Sequence, residues 1–320
     1  MVKPSIFVTR RLPRNVEHQL GALFDPQFNE DDNLPSPEAL LRGAQNADGL
    51  LVTITDRLDA NLISALPERT RIIATFSVGY DHIDIAAANA RGIAVTNTPG
   101  VLTDATAEIA MLLLLGAARK ATDGARLIRE NRWGAWAPTG MLGTQLTGKK
   151  LGIYGMGEIG RAVAARARPF GMEIHYHNRN QLPAALEAGA HYHAELESLL
   201  RHCDMLSVNC ASTPQTRGSL DADRLAIMKP GAILINTARG DILDEPAVLD
   251  ALLNGRLGAI GLDVYANEPD IDPRFRTLPN SFLLPHLGSA TYETRDAMGF
   301  CAIANLQAFF SGKTPPNRVR

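Results

Sequence analysis

The chain has 320 residues, 45% of them hydrophobic and 21% charged, and its 32 basic and 34 acidic side chains leave a formal net charge of -2. That length suits two domains with ordinary cores, and a near-neutral balance without a basic cluster argues against a nucleic-acid footprint. The apolar stretch at 109–118 is too short to cross a bilayer and residues 1–9 too brief for a signal peptide; the three cysteines lack metal-ligand spacing, so no metal is expected and the expected setting is the reducing cytoplasm.

Residues 5–9 read as a strand and 14–23 as an amphipathic helix. The strand pattern returns at 50–54 and 71–76, with helical segments at 37–42 and 59–66 between. Such alternation predicts a parallel sheet with helices on its faces. The stretch FSVGYDHID at 76–84 ends that strand in a loop before a helix capped by Asp81 or Asp84. Gly79 removes a side chain where backbone N–H groups could face an anion, although from composition alone a simple turn is the favoured explanation. Gly92 closes the helix, and 93–97 is another strand. Thr98-Pro99-Gly100 reads as a hinge. The largely apolar helix at 103–119 is expected to be buried between layers. After a further helix at 123–130, the loop at 131–143 carries Trp133 and Trp136. Both are too apolar to be left in water, and a partner subunit would cover them.

The organising stretch is 151–180, LGIYGMGEIGRAVAARARPFGMEIHYHNRN. A short apolar strand feeds Gly155-Met156-Gly157-Glu158-Ile159-Gly160 and then a helix. Gly155 permits the tight turn, Gly157 admits a pyrophosphate, and Gly160 lets helix press on strand. The helix N-terminus then holds the phosphates. A lone motif of this kind is a weak signal, but the strand before it, the helix after it and a second strand at 173–176 supply its context. At the end of that second strand an NAD site places Asp or Glu, whereas this chain has Asn178 and then Arg179. A neutral amide and a guanidinium fork suit a 2'-phosphate, so NADP(H) is the expected cofactor, with NAD(H) as the lesser option. Arg179 could also be a plain solvated loop residue.

Strand patterns recur at 205–209, 232–236, 259–264 and 282–284, completing a doubly wound sheet. The long helix at 292–310 lies beyond it and must return to the first unit. The expected architecture is therefore α/β with two Rossmann-like domains. Residues 1–98 and 288–320 form a smaller, discontinuous flavodoxin-like substrate domain, and 99–287 form the dinucleotide-binding domain.

In an open α/β sheet ligands lie outside the carboxyl ends of the strands. Arg239 follows one strand, Asp263 ends the next with Glu268 shortly after, and His286 ends the last. Alone, each has a plain explanation as a surface cation, a solvated acid or a satisfied histidine. An Arg, an acid and an imidazole at successive sheet ends converge instead on the side where the cofactor's nicotinamide must point.

INTARGDILDEPAVLDAL, GLDVYANEP and LLPHLGSAT, with YGMGEIG and SVGYDHID, resemble the D-isomer-specific 2-hydroxyacid dehydrogenases over essentially the full length, most closely the glyoxylate/hydroxypyruvate reductases and the related 2-ketogluconate reductases. The resemblance implies Arg239 as substrate-carboxylate anchor, Glu268 as partner of the histidine, and His286 as general acid/base. It further implies that the Val78 and Gly79 amides hold the substrate carboxylate and that Asp263 binds the nicotinamide carboxamide. Thr106, Thr237, Ala238 and Gly288 complete the implied cofactor contacts. A homodimer with the Trp133/Trp136 loop at its interface is implied as well. The expected activity is reduction of glyoxylate and hydroxypyruvate by NADPH. The alternatives are a 2-ketogluconate or aryl-pyruvate reductase, or a nucleotide-sensing corepressor-like binding protein.

Overall fold

A computed structural model describes residues 3–319 and divides the chain into two compact units. One joins the chain up to Leu102 with the segment from Ala290 onward; the other is Thr103–Ser289. Sequence reading expects the crossings at 98/99 and 287/288.

The first unit runs β1 (Ser5–Val8), α1 (Arg14–Leu23), β2 (Asp25–Phe28), α2 (Pro37–Ala44), β3 (Gly49–Val52), α3 (Ala60–Ala65), β4 (Ile72–Thr75), α4 (Ile85–Ala90) and β5 (Ala94–Thr96). Its sheet has the order β2-β1-β3-β4-β5 with every pair parallel, the flavodoxin-like arrangement. All four residues of β1, of β3 and of β4 are buried, which is why these strands read as unbroken apolar runs. Strand β2 escaped sequence reading. It is DPQF, and its proline is tolerated because the strand lies at the sheet edge. Asp84, not Asp81, caps α4, its Oδ1 accepting from Ala87 N at 2.9 Å. The C-terminal helix Tyr292–Phe310 packs on α1 and β4 of this unit, and a Cβ at Gly299 would collide with Val16. Buried Asn305 ties the helix in, donating to Asn97 O at 3.0 Å and accepting from Asn317 N at 3.1 Å.

The second unit runs α5 (Thr103–Ala118), α6 (Ala121–Arg129), β6 (Lys150–Tyr154), α7 (Glu158–Ala167), β7 (Glu173–His177), α8 (Ala184–Glu187), β8 (His191–His193), α9 (Leu196–His202), β9 (Met205–Val208), α10 (Ala222–Ile227), β10 (Ala232–Asn236), α11 (Glu245–Leu253), β11 (Leu257–Leu262) and β12 (Ser281–Leu283). The seven strands, all parallel, take the order β12-β11-β10-β9-β6-β7-β8. Counted from β6, this is the 3-2-1-4-5-6 doubly wound order with one strand added. One hydrophobic core lies under α9, α10 and α11, the other under α5 and α7. Each fully buried Leu or Ile in them contributes about 1.5–3 kcal/mol. The expectation of a buried α5 is met: its apolar face packs on β10, β11 and β12. Among the described residues no helix is long and apolar enough to cross a membrane.

Candidate active site

The strand order reverses at β6, whose neighbours are β9 and β7, and there the carboxyl ends open a crevice. Three glycines shape it differently. Gly155 has φ +98°, and a Cβ there would lie 2.6 Å from Cys210 Cα in the loop after β9. A Cβ at Gly160 would strike Gly155 O, so α7 reaches the strand only as glycine. At Gly157 a Cβ would meet nothing within 4 Å. The space above Gly157 is thus open on the side where a pyrophosphate would lie, and Gly157 caps α7 without any side-chain acceptor, leaving the first-turn amides for an anion. Met156 is buried in the core, Ile159 packs against it, and Glu158 turns to Thr103 Oγ1 at 3.5 Å. These residues fit a dinucleotide.

Asn178 follows β7, and its Oδ1 accepts from Met156 N at 2.7 Å. With that oxygen engaged in the glycine loop, Asn178 has its Nδ2 donor to present to a ribose substituent. Arg179 next to it is exposed. The chemistry at this strand end is neutral and cationic, with no carboxylate from either residue.

Farther along the sheet, β10, β11 and β12 end in the other predicted residues. Asn236 folds the turn after β10, its Oδ1 accepting from Ala238 N at 2.9 Å and its Nδ2 donating to Arg239 O at 2.8 Å. Thr237, Ala238 and Arg239 are half-buried on this turn. A Cβ at Gly240 would be driven into the Tyr265–Ala266 peptide, so the Arg239 turn lies directly on the loop after β11. Tyr265 N in that loop donates to Glu268 Oε1 at 2.9 Å, and Glu268 Oε2 meets His286 Nδ1 at 2.7 Å. Burial pushes the Glu268 carboxyl up. The His286 hydrogen bond and charge, the Tyr265 amide and Arg239 outweigh it, so Glu268 ends below the usual range and stays a carboxylate.

His286 sits at φ +57°, a conformation that costs a residue with a side chain on the order of 1–3 kcal/mol. The surroundings hold it there. His286 N donates to Asp263 O at 2.9 Å, while Leu287 N and Gly288 N each donate to an Asp263 carboxylate oxygen at 2.7 Å. Thr106 Oγ1 closes the loop on Gly288 O at 3.1 Å. Asp263 is 1% exposed, and burial, the largest influence on it, raises its pKa despite those amides and the His286 charge. Both its oxygens thus work in the loop, a task that sequence reading did not give it beside the implied carboxamide contact.

Two further expectations concern other segments. Val78 and Gly79 form the loop after β4 in the first unit, where Val78 O accepts from Asn97 Nδ2 at 2.7 Å and Gly79 O from Ser77 Oγ at 2.6 Å. Their carbonyls are spoken for, and both residues are half-buried. Trp133 and Trp136 are 72% and 83% exposed, so nothing among the described residues covers the rings, which sequence reading expects to be packed. Sequence reading gives Gly240 no role beyond its place beside Arg239 and does not single out Glu245.

The family profile for the D-isomer specific 2-hydroxyacid dehydrogenase NAD-binding domain matches residues 111–288. A glyoxylate reductase of Thermococcus litoralis is 42% identical over 323 residues, covering 99% of this chain and 97% of its own. A glycerate dehydrogenase of Hyphomicrobium methylovorum is 41% identical over 314 residues, covering 98% of each. Among solved structures, an NADPH-dependent glyoxylate/hydroxypyruvate reductase from Sinorhizobium meliloti in complex with NADP and malonate superposes with a TM-score of 0.89 at 34% identity, over 99% of this chain and 97% of that one.

Proposed function

This chain belongs to the D-isomer-specific 2-hydroxyacid dehydrogenase family, and from that premise we propose that it reduces glyoxylate and hydroxypyruvate to their 2-hydroxy acids with NADPH, as a cytoplasmic homodimer whose Trp133/Trp136 loop is covered by the partner. The observation that carries the reading is the contact of Glu268 with His286 at 2.7 Å, one strand end away from Arg239. Glu268, held as a carboxylate, obliges Nδ1 to carry its hydrogen, so the proton that His286 can exchange is the one on Nε2. That proton goes to the carbonyl oxygen of the 2-oxo acid, and solvent returns it afterwards. Arg239 pairs with the substrate carboxylate and stabilises charge growing on the carbonyl oxygen. In the same reading the Val78 and Gly79 amides take the carboxylate. Gly155 to Gly160, Asn178, Arg179, Thr106, Thr237, Ala238, Asp263 and Gly288 hold the dinucleotide. When bound, its nicotinamide supplies the hydride.

Support for NADPH over NADH comes from the strand end itself. An acid there would repel a 2'-phosphate, whereas Asn178 offers a neutral donor and Arg179 an exposed guanidinium. The test is a kinetic panel of glyoxylate, hydroxypyruvate, pyruvate, 2-ketogluconate and phenylpyruvate with each reduced nucleotide. Glyoxylate and hydroxypyruvate with NADPH should give the highest kcat/KM. A best rate with 2-ketogluconate or phenylpyruvate would replace the substrate assignment, and a better rate with NADH would overturn the cofactor assignment.

A further inference from the structure

Glu245 is the first residue of α11, where Asp244 already serves as the cap, its Oδ1 accepting from Ala247 N at 3.1 Å. An acid in the first turn of a helix is ordinary, since it complements the positive end of the helix dipole, and it usually faces water. Glu245 does not: it is 8% exposed, and its side chain turns into the loop after β11. Its Oε1 accepts from Ala266 N at 2.7 Å. Among the described residues no cation pairs with it; the charged groups that act on it are Asp272 and Glu268, and burial foremost pushes its carboxyl up. Holding a carboxylate in such a place is costly, so a specific task is expected of it.

The task is visible in what else touches the same peptide. The amide before Ala266 is that of Tyr265, and it donates to Glu268 at 2.9 Å. Two consecutive amides are therefore taken by two carboxylates from different segments, and the second of these carboxylates is the partner of His286 at 2.7 Å. From the other side the Arg239–Gly240 turn rests against this same Tyr265–Ala266 peptide, so closely that Gly240 leaves no room for a Cβ. The peptide is the junction through which the Arg239 turn and the Glu268–His286 pair share a position.

We propose that Glu245 is a positioning residue: by gripping Ala266 N it fixes the Tyr265–Ala266 peptide and so sets the placement of Glu268 against His286 and of the Arg239 turn. The proposal rests on the reading of this cluster as the reductase site. It separates reach from charge. Glu245→Gln keeps an oxygen at the same reach and loses the charge; Glu245→Asp keeps the charge and the helix-start preference but withdraws the carboxylate by about 1.5 Å.

The experiment measures kcat, KM for NADPH, thermal stability and the ring nitrogen resonances of His286 in the wild type and both variants, with His286→Asn identifying the His286 signals. The expected result is Glu245→Gln within about 3-fold of wild-type kcat. Glu245→Asp should lose roughly 10-fold or more in kcat with KM for NADPH nearly unchanged, because small misplacements of reacting groups are felt in turnover. The His286 resonances should keep their wild-type positions in the Gln variant and move in the Asp variant. Equal behaviour of the two variants, a more damaged Gln variant, or an Asp variant that fails to fold would each overturn the proposal. A wild type that does not oxidise NADPH with any 2-oxo acid would defeat the reductase reading instead, while the His286 resonances would still decide whether Glu245 sets the ring's surroundings.

Discussion

The second unit contains two histidine–carboxylate pairs of nearly equal length, Glu268–His286 at 2.7 Å and Glu173–His175 at 2.8 Å, and their settings have little in common. His175 lies within β7, its side chain 6% exposed, and both ring nitrogens are engaged, Nε2 by Glu173 and Nδ1 by His193 Nε2 at 2.9 Å. Around it gather His191, with its ring centroid 4.9 Å away, and His202 at 6.4 Å. Burial holds His175 below the ordinary histidine range, against the pull of Glu173. His286 follows β12 in a strained loop, with Nδ1 on Glu268 and no partner for Nε2 among the described residues. A short contact between an imidazole and an acid is therefore no mark of chemistry in itself. A free nitrogen, a position beyond the carboxyl ends of the sheet, and a backbone conformation maintained at a cost distinguish the pair proposed to do the chemistry.

The sharpest way to break this comparison is to remove each ring. His286→Asn should lower kcat/KM by roughly 10³-fold, within the range for loss of a general acid, while His175→Asn leaves it within a few-fold and lowers the melting temperature. Steady-state kinetics beside thermal melts check both, and similar losses of activity in the two variants would end the distinction. Next in size is Gly240→Ala. Its methyl group must displace the Tyr265–Ala266 peptide, costing about 1–3 kcal/mol by overpacking and disturbing Glu268 but not Glu173. Denaturant titration and kcat together measure it.

The two pairs should also part company in acid. His193 is held down to about 4, burial being the largest cause and the neighbouring histidines the next, and His175 is lowered too. A histidine whose folded pKa is depressed adds stability that is fully present above its unfolded value of 6.5 and is lost as the pH falls toward the folded one. The melting temperature should decline from pH 6.5 toward about 4, and His193→Gln should flatten that decline without moving the pH profile of kcat. Glu268, with a lowered pKa, adds a further loss that begins as the pH falls through the usual carboxylate range and continues to its lower folded pKa. Smallest of all, Asn178→Asp should leave kcat alone and shift the NADPH to NADH ratio of kcat/KM about 10-fold toward NADH, a difference near 1.4 kcal/mol.

Much of this was legible in the chain because buried parallel strands must be apolar on both faces, so β1, β3, β4, β9 and β10 announce themselves as short hydrophobic runs. The edge strands β2 and β8, DPQF and HYH, carry no such run, since one side of an edge strand has no neighbour to satisfy. Arg239, Glu268 and His286 could be picked out as polar residues just after strands, and the Glu268–His286 pairing came from the family likeness. Glu245 could not, because a Glu after Asp at a helix start already has a local explanation. The histidine cluster was hidden for a different reason. His175 faces His191 and His177 faces His193 only once the β7–β8 register is set, and register is a property of two strands together.

In the proposed reaction the Nε2 of His286 hands its proton to the oxygen of a bound 2-oxo acid. A crystal structure of the protein with NADP and glycolate tests it most directly. His286 Nε2 should lie within about 2.6–3.2 Å of the glycolate hydroxyl, with Arg239 on the carboxylate. A hydroxyl bonded to some other side chain, with His286 turned to solvent, would contradict it.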